Sequence, residues 1–241
     1  MGERNCIHVN DNNTNWSEES GTNGWYALTT SWYFRNTISV TGTVNLILCD
    51  SPNGSFTLTA EKGIVLNPDS HLIVWAQSGG TGKINAYGGE EYHPGIGNYA
   101  PYNSGNLTIN GGNFNVSGGN NAPGLGSCGS NSGDITINGG SVNATGSHKA
   151  DQEGNAPGIG ASDLPVTDTE VFTGTMNNTY FYGGNTTANR TGSCPPIGDS
   201  TNSTGSIHLA DGMTIQNGVL DEIIAARFPK PILTPWGARR W

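Results

Sequence analysis

Short stretches in which apolar and polar residues alternate recur along most of this chain. Such alternation has the period of a β-strand with one buried face, and it predicts many strands. The stretches fall into two families that follow one another in a fixed order. The first family comprises residues 44–48, 71–75, 106–110, 134–138 and 206–210, with a poorer member at 171–173. The second family comprises residues 56–59, 84–87, 114–117, 142–145, 180–182 and 213–215.

A compact corner with one aliphatic residue beside glycine follows the second family. The corners are Gly63-Ile64, Pro94–Gly97, Pro123–Gly126, Pro157–Gly160 and Pro196–Gly198. Repetition of strand, strand and corner predicts a coil with two strands and one corner per turn, stacked at about 4.8 Å. One turn cannot bury its own apolar face, so we expect the corner aliphatics of successive turns to form an interior ladder.

Asparagines also occupy equivalent positions in this repeat. Asn110 and Asn138 each stand just before a Gly-Gly pair. One interpretation is a stacked amide pair at the bend, and the other is that asparagine simply tolerates turn geometry. The repeat itself leaves both open.

The predicted fold is all-β, a single-stranded right-handed parallel β-helix of about six turns, with a β-sandwich as the alternative. The coil is expected over residues 36–218 as one domain. Residues 1–35 hold three of the six tryptophans and lack a corner, so they are predicted to form an N-terminal cap. Residues 219–241 are expected to form a C-terminal helix and tail, because the apolar spacing at 219–228 is typical of a short amphipathic helix.

Composition narrows the class of protein further. The chain has 241 residues, of which 37 are glycine, with 34% hydrophobic and 12% charged residues. These shares lie below the roughly 45–50% and 25% of ordinary domains, and glycine, asparagine and threonine are poor helix formers. The net charge of −9 argues against nucleic-acid binding. No run approaches the roughly 18 apolar residues that membrane insertion requires, and the first residues lack the apolar core of a secretory signal.

Several repeats resemble a known group of bacterial proteins. The resemblance rests on residues 82–89 (Gly-Lys-Ile-Asn-Ala-Tyr-Gly-Gly), 106–112, 134–140 and the repeated Ala-Pro-Gly-Ile/Leu-Gly corner. Residues 25–218 are similar to glycine-rich repeat regions of secreted or surface proteins, mostly from Firmicutes, described as carbohydrate-binding-domain-containing. The resemblance implies a solenoid of the pectin-lyase-like type and an extracellular or cell-surface location. It implies a non-catalytic adhesin or a module that binds a polysaccharide or cell-surface glycan.

Candidate binding residues lie in the connections from the second strand to the corner, which vary most in sequence. These connections are residues 88–93, 117–122, 145–156 and 183–195, and stacking would align them along one side, here called the looped edge. Amides and carboxylates bind sugar hydroxyls, and an aromatic ring stacks on the apolar face of a sugar. The candidates are Glu90, Glu91, Tyr92, His93, Asn120, Asn121, His148, Lys149, Asp151, Gln152, Glu153 and Arg190. The alternative is that these are ordinary solvated loops, and Tyr99 and Tyr102 are weaker candidates on a neighbouring edge.

Two other functions stay open at this point. A polysaccharide hydrolase or lyase would pair Glu90 or Glu91 with Asp151 or Glu153 across one turn, at roughly 10 Å from two strand spacings. A structural stalk would bind nothing through these loops. The histidines share no short spacing, so we expect no metal site and no cofactor, and the four cysteines are predicted to be free thiols.

Overall fold

A computed structural model describes residues 6–18, 23–148, 155–165, 170–199, 206–211, 213–216 and 219–222, the last two ranges by their backbone alone. The regular elements of these ranges are all strands. The chain winds as a coil, and strands of successive turns pair in parallel into three long sheets, which we name A, B and C in the text below. No helix long and apolar enough to cross a membrane occurs in the described ranges.

Each full turn passes through sheet A, then sheet C, then sheet B. Sheet A contains β1 (Ile7–His8), β3 (Trp25–Leu28), β6 (Thr43–Leu48), β11 (His71–Ala76), β14 (Asn106–Ile109), β17 (Ile135–Ile137), β22 (Thr179–Phe181) and β25 (Ile207–Leu209). Sheet C contains β4 (Trp32–Phe34), β9 (Thr57–Ala60), β12 (Lys83–Tyr87), β15 (Asn113–Asn120), β18 (Ser141–Ser147), β23 (Asn185–Asn189), β27 (Val219–Glu222) and β26 (Met213–Gln216). Sheet B contains β2 (Asn15–Ser17), β5 (Ile38–Thr41), β10 (Ile64–Leu66), β13 (Ile96–Tyr99), β16 (Leu125–Cys128), β19 (Ile159–Ser162) and β24 (Ile197–Asp199). Two separate antiparallel pairs join β7 (Asp50–Ser51) to β8 (Gly54–Ser55) and β20 (Leu164–Pro165) to β21 (Val171–Phe172).

The interior of the coil is filled by aliphatic side chains in register. The predicted corner ladder is confirmed, since its members pair from turn to turn and are at most 4% exposed: Ile38, Ile64, Ile96, Leu125, Ile159 and Ile197. Sheet A adds a second ladder that includes Leu72, Leu107 and Ile135. Removing this apolar surface from water contributes about 25 cal/mol per Å², which a single turn could not obtain alone.

The corner is a strand of sheet B, so the prediction of two strands and a bend per turn is wrong. A glycine follows the aliphatic residue in four turns, and these glycines pair in register as Gly97, Gly126, Gly160 and Gly198. Their backbones stack so closely that a Cβ on Gly160 would collide with the carbonyl oxygen of Gly198. The φ of Gly160 is +134°, which residues with a side chain rarely adopt. Glycine therefore builds a third sheet here.

The number of turns is not confirmed for the range in which it was predicted. Among the residues described, five turns with one strand in each sheet lie between Thr43 and Asp199, and another runs from Trp25 to Thr41. Six turns within residues 36–218 are therefore not confirmed. Strands β1 to β4 lie in the segment expected to be a cap, and they pair in parallel within the same three sheets. The division into cap, β-helix and C-terminal segment stays a prediction, as does the right-handed sense of the coil.

The start of the predicted C-terminal helix is a strand. β27 pairs antiparallel with β26 and with β23, so that Val219 lies opposite both Gln216 and Thr187. Strand β23 is the last parallel member of sheet C, and its free edge carries backbone N–H and C=O groups that this pairing satisfies. Residues 223–228 of the expected helix lie outside the described residues.

Two members of the strand families were assigned wrongly from the sequence. Residues 179–181 belong to sheet A, whereas Val171–Phe172 pairs with Leu164–Pro165 outside the three sheets. The strand of sheet C in this turn is Asn185–Asn189, whose inward residues are Thr186 and Ala188. These small or polar side chains give a weak alternation signal, and the extra segment after β19 shifts the spacing of the repeat.

Candidate functional site

The looped edge exists in the structure as a stack of connections. Each connection leads from sheet C to sheet B, and the strands on both sides are in register from turn to turn. The described parts of these connections therefore lie one above another. The predicted connection 183–195 is wrong in its bounds, because residues 185–189 form strand β23. Four of the candidate residues, Lys149, Asp151, Gln152 and Glu153, lie outside the described residues.

Two charged side chains on the looped edge, Glu90 and Arg190, have bonding partners within the protein. Glu90 Oε1 accepts a hydrogen bond from Lys62 Nζ at 2.8 Å, and both side chains are about half exposed. This partner lowers the pKa of Glu90, whereas a glycosidase general acid needs a raised pKa. Arg190 Nη1 donates to the carbonyl oxygens of Ser193 at 3.1 Å and Cys194 at 2.6 Å. Glu90 and Arg190 thus stabilise local structure.

A small aromatic cluster lies on the same edge. The ring of His93 packs against Tyr99, with 4.1 Å between ring centroids, and its Nδ1 is 2.8 Å from the carbonyl oxygen of Glu91. Burial, together with the carboxylate of Glu91, raises the pKa of Tyr92. The structure thus brings Glu91, Tyr92 and His93 together. It leaves two other candidates, Asn120 and His148, exposed on the surface.

The next connection is fastened to sheet B. Asn121 is buried, and its carbonyl oxygen accepts a hydrogen bond from Ser162 Oγ at 2.8 Å. The same carbonyl lies 3.6 Å from Cys128 Sγ. The carbonyl group of Asn121 therefore lies against the outer side of sheet B.

The outer side of sheet A carries a more regular array, which we call the sheet A face. Pairing aligns its outward side chains in columns that run along the coil, and two of these columns carry the aromatic residues. The first column is Trp25, Asn45, Ile73, Thr108, Thr136, Tyr180 and His208. The second column is Ile47, Trp75, Asn110, Asn138 and Tyr182. Neither column contains Lys, Arg, Asp or Glu.

Aromatic rings stand at both ends of the sheet A face. At one end Trp25 and Trp75 stack with 6.5 Å between ring centroids and 23° between planes. At the other end Tyr180 stacks on His208 at 4.5 Å and lies 6.0 Å from Tyr182, which is 49% exposed. Three strand spacings, about 14 Å, separate Trp75 from Tyr182 in their shared column.

Hydroxyl and amide groups occupy the middle of the sheet A face. Asn138 Nδ2 donates to Asn110 Oδ1 at 2.8 Å, which confirms the stacked amide interpretation. Thr108 Oγ1 lies 2.8 Å from His71 Nε2, and burial lowers the pKa of His71, so this imidazole is neutral at pH 7. The centre of these two columns is therefore polar and uncharged.

Sequence reasoning missed this face. The signal was present, because Trp75, Asn110 and Asn138 hold the same position in aligned members of the first family. The sequence analysis placed the candidate residues in the variable loops instead. In the described ranges no group of three or more His, Cys, Asp or Glu residues could hold a metal ion.

Comparison with known proteins supports the repeat. A family model described as a β-helix repeat matches residues 135–163. This range begins at β17 and ends just after β19, so it covers one complete turn of the coil. Searches among curated proteins and among solved structures found no similar chain.

Proposed function

We propose that this chain is a non-catalytic β-helix module that binds a polysaccharide or cell-surface glycan through the sheet A face. The observation that carries this proposal is the pair of aromatic clusters at the two ends of an uncharged ladder of hydroxyl and amide groups. Aromatic rings stack on the apolar faces of sugars, while amides and hydroxyls bind the sugar hydroxyls. The absence of Lys, Arg, Asp and Glu from both columns favours a neutral glycan.

The proposed ligand runs along the coil axis. A sugar ring in an extended chain is about as long as one strand spacing of about 4.8 Å. Trp75 and Tyr182 would then contact rings about three units apart, so the face favours extended chains over single sugars. The module is proposed to act outside the cell or on its surface, an inference supported by the resemblance to repeats of secreted bacterial proteins. Contacts from the looped edge, with Glu91 and Tyr92, remain a further prediction.

Affinity electrophoresis and calorimetry with neutral polysaccharides and one uronate-containing polysaccharide test this proposal. We expect saturable binding to at least one neutral polysaccharide, and at least a tenfold loss in Trp75→Ala and in Tyr182→Ala, because aromatic anchors carry most of such binding energy. Tyr33→Ala is the matched control, since Tyr33 is 53% exposed on the outer side of sheet C. An equal loss in all three variants, or no binding by the natural chain, would contradict the proposal. Release of reducing sugar would contradict a non-catalytic role.

A further inference from the structure

A second candidate site lies on a different edge, where the chain enters sheet A from sheet B. A cavity of about 220 Å³ opens there among the turns that precede β11, β14, β17 and β22. Its lining residues are Pro68, Asp69, Ser70, 103–106, Asn131, Gly133 and Asn177. We call it the polar cleft, and sequence reasoning gave no indication of it.

Glycines let neighbouring turns pack closely beside the polar cleft. A Cβ on Gly105 would collide with the hydroxyl of Ser70, and a Cβ on Gly133 would collide with the carbonyl oxygen of Gly105. Gly133 also has a φ of +68°, which disfavours a side chain. The backbone at this side of the cleft therefore requires glycine.

A buried hydroxyl at the cleft has no partner within the protein. Ser70 is 1% exposed, and its Oγ makes no hydrogen bond to any described residue. An unsatisfied buried hydroxyl costs about 1–3 kcal/mol. A ligand hydroxyl that reached the cleft would remove this cost, so Ser70 points to a ligand independently of the shape of the cavity.

Three asparagines direct their amide donors away from the backbone. Asn103 Oδ1 accepts from the backbone N–H of Asn131 at 3.2 Å, and Asn106 Oδ1 accepts from that of Asp134 at 2.8 Å. Asn131 Oδ1 accepts from the N–H of Gly133 at 2.9 Å. Because each oxygen is used in this way, each NH₂ group faces the opposite side and can donate to a ligand.

The lining thus combines amide donors, the hydroxyls of Ser70 and Ser104, and one exposed carboxylate acceptor, that of Asp69. No Lys or Arg lines the cleft, and a single carboxylate would repel an anion. A calcium ion takes six to eight oxygen ligands, usually with several carboxylates, and this lining supplies one. Adjacent hydroxyls of a sugar both accept and donate, and they match this set of groups.

We propose that the polar cleft binds one neutral sugar unit, either a free monosaccharide or the terminal unit of a glycan. Asp69 accepts from one sugar hydroxyl, Ser70 pairs with a second, and the asparagine amides donate to sugar oxygens. The cleft adjoins the sheet A face but includes no residue of its two columns.

Titration of the full chain with methyl glycosides of glucose, galactose, mannose and N-acetylglucosamine, followed by NMR, tests the proposal. We expect saturable shifts of backbone amides in residues 68–70, 103–106 and 131–133. Ser70→Ala should weaken binding about fivefold while the Tm stays equal or rises, because the unsatisfied hydroxyl is gone. Asp69→Asn should also weaken binding, whereas Asp11→Asn, at an exposed turn, should not.

Further measurements distinguish binding at the polar cleft from binding at the sheet A face. Trp75→Ala and Tyr182→Ala should leave binding of the methyl glycosides unchanged, so failure of the sheet A face would not affect the result. Oligosaccharides that end in the preferred sugar should bind at least as well as its methyl glycoside if the source is a glycan, and more weakly if it is a free monosaccharide. The proposal is overturned if no sugar shifts these amides, if calcium or phosphate alone shifts them equally, or if Ser70→Ala lowers the Tm.

Discussion

Sheets A and B belong to the same coil, yet their outer sides differ completely. Every strand of sheet A sends side chains outward, among them Trp75, Thr136 and Tyr180. The equivalent outward position in sheet B is glycine in four turns. Outward side chains repeat at the regular spacing of the strands, so they form an array that a ligand can contact. A glycine instead lets neighbouring backbones pack together.

The difference extends to the polar groups near each sheet. Beside sheet B, Asn121 accepts from Ser162 and Glu90 pairs with Lys62, so individual side-chain contacts hold these loop groups in place. On the sheet A face the backbone ladder fixes the spacing of the side chains, which need no loop to hold them. Binding groups on rigid elements are positioned more accurately than groups on loops. This is why we assign the glycan site to the strands.

The largest expected effect is on the glycine column. Gly160→Ala should cost about 3–5 kcal/mol of unfolding free energy, since its Cβ would collide with Gly198 and its φ disfavours a side chain. Thr136→Ala, an outward substitution in sheet A of the same turn, should cost within about 1 kcal/mol. Urea unfolding followed by circular dichroism measures both. Similar costs would show that the two outer sides are not built differently.

Inside the coil, truncating a buried side chain should cost a similar unfolding free energy in sheet A and in sheet B. Ile159→Ala in sheet B and Ile137→Ala in sheet A should each cost about 2–5 kcal/mol, because both side chains are fully buried and alanine leaves a cavity. The same urea titration gives the values. A cost below about 1 kcal/mol for Ile159 alone would mean that sheet B does not share the core.

The contrast between inside and outside also explains what the sequence could predict. Inward positions must be apolar, so strict alternation revealed most strands and the ladder through Ile96 and Leu125. Strand β23 was missed because Thr186 and Ala188 provide little hydrophobic contrast. The third sheet was missed because glycine, common in bends, here permits close stacking of extended backbone.

Contacts between turns were harder to infer. Trp25 and Trp75 are far apart in sequence, and they meet only because β3, β6 and β11 are in register. The polar cleft depends on Gly105 and Gly133, which occupy equivalent positions in neighbouring turns. Such sites arise from the register between strands of successive turns. The corner motif in the sequence predicts this register only approximately.

The cover over sheet B can be tested by thiol labelling. Burial raises the pKa of Cys128 to about 12, and Asn121 O and Asp163 O lie 3.6 and 3.5 Å from its Sγ. At pH 8 the folded chain should therefore react at Cys128 roughly a thousandfold more slowly than an unfolded thiol. Mass spectrometry after iodoacetamide treatment, with and without urea, measures this ratio. Labelling of Cys128 as fast as the half-buried Cys6 would show that the connection does not cover the sheet.

The smallest expected effect concerns the ion pair on the looped edge. Lys62→Ala should leave the Tm unchanged within error, because water screens an exposed pair. The pKa of Glu90, which Lys62 holds below its usual value, should rise when the lysine is removed, as an NMR titration of the carboxyl group would record. Glu91→Gln, at the adjacent exposed carboxylate, serves as a control for a change of charge alone. A clear fall in Tm for Lys62→Ala would mean that the loops stabilise the coil, and the contrast between ordered strands and accessory loops would then be lost.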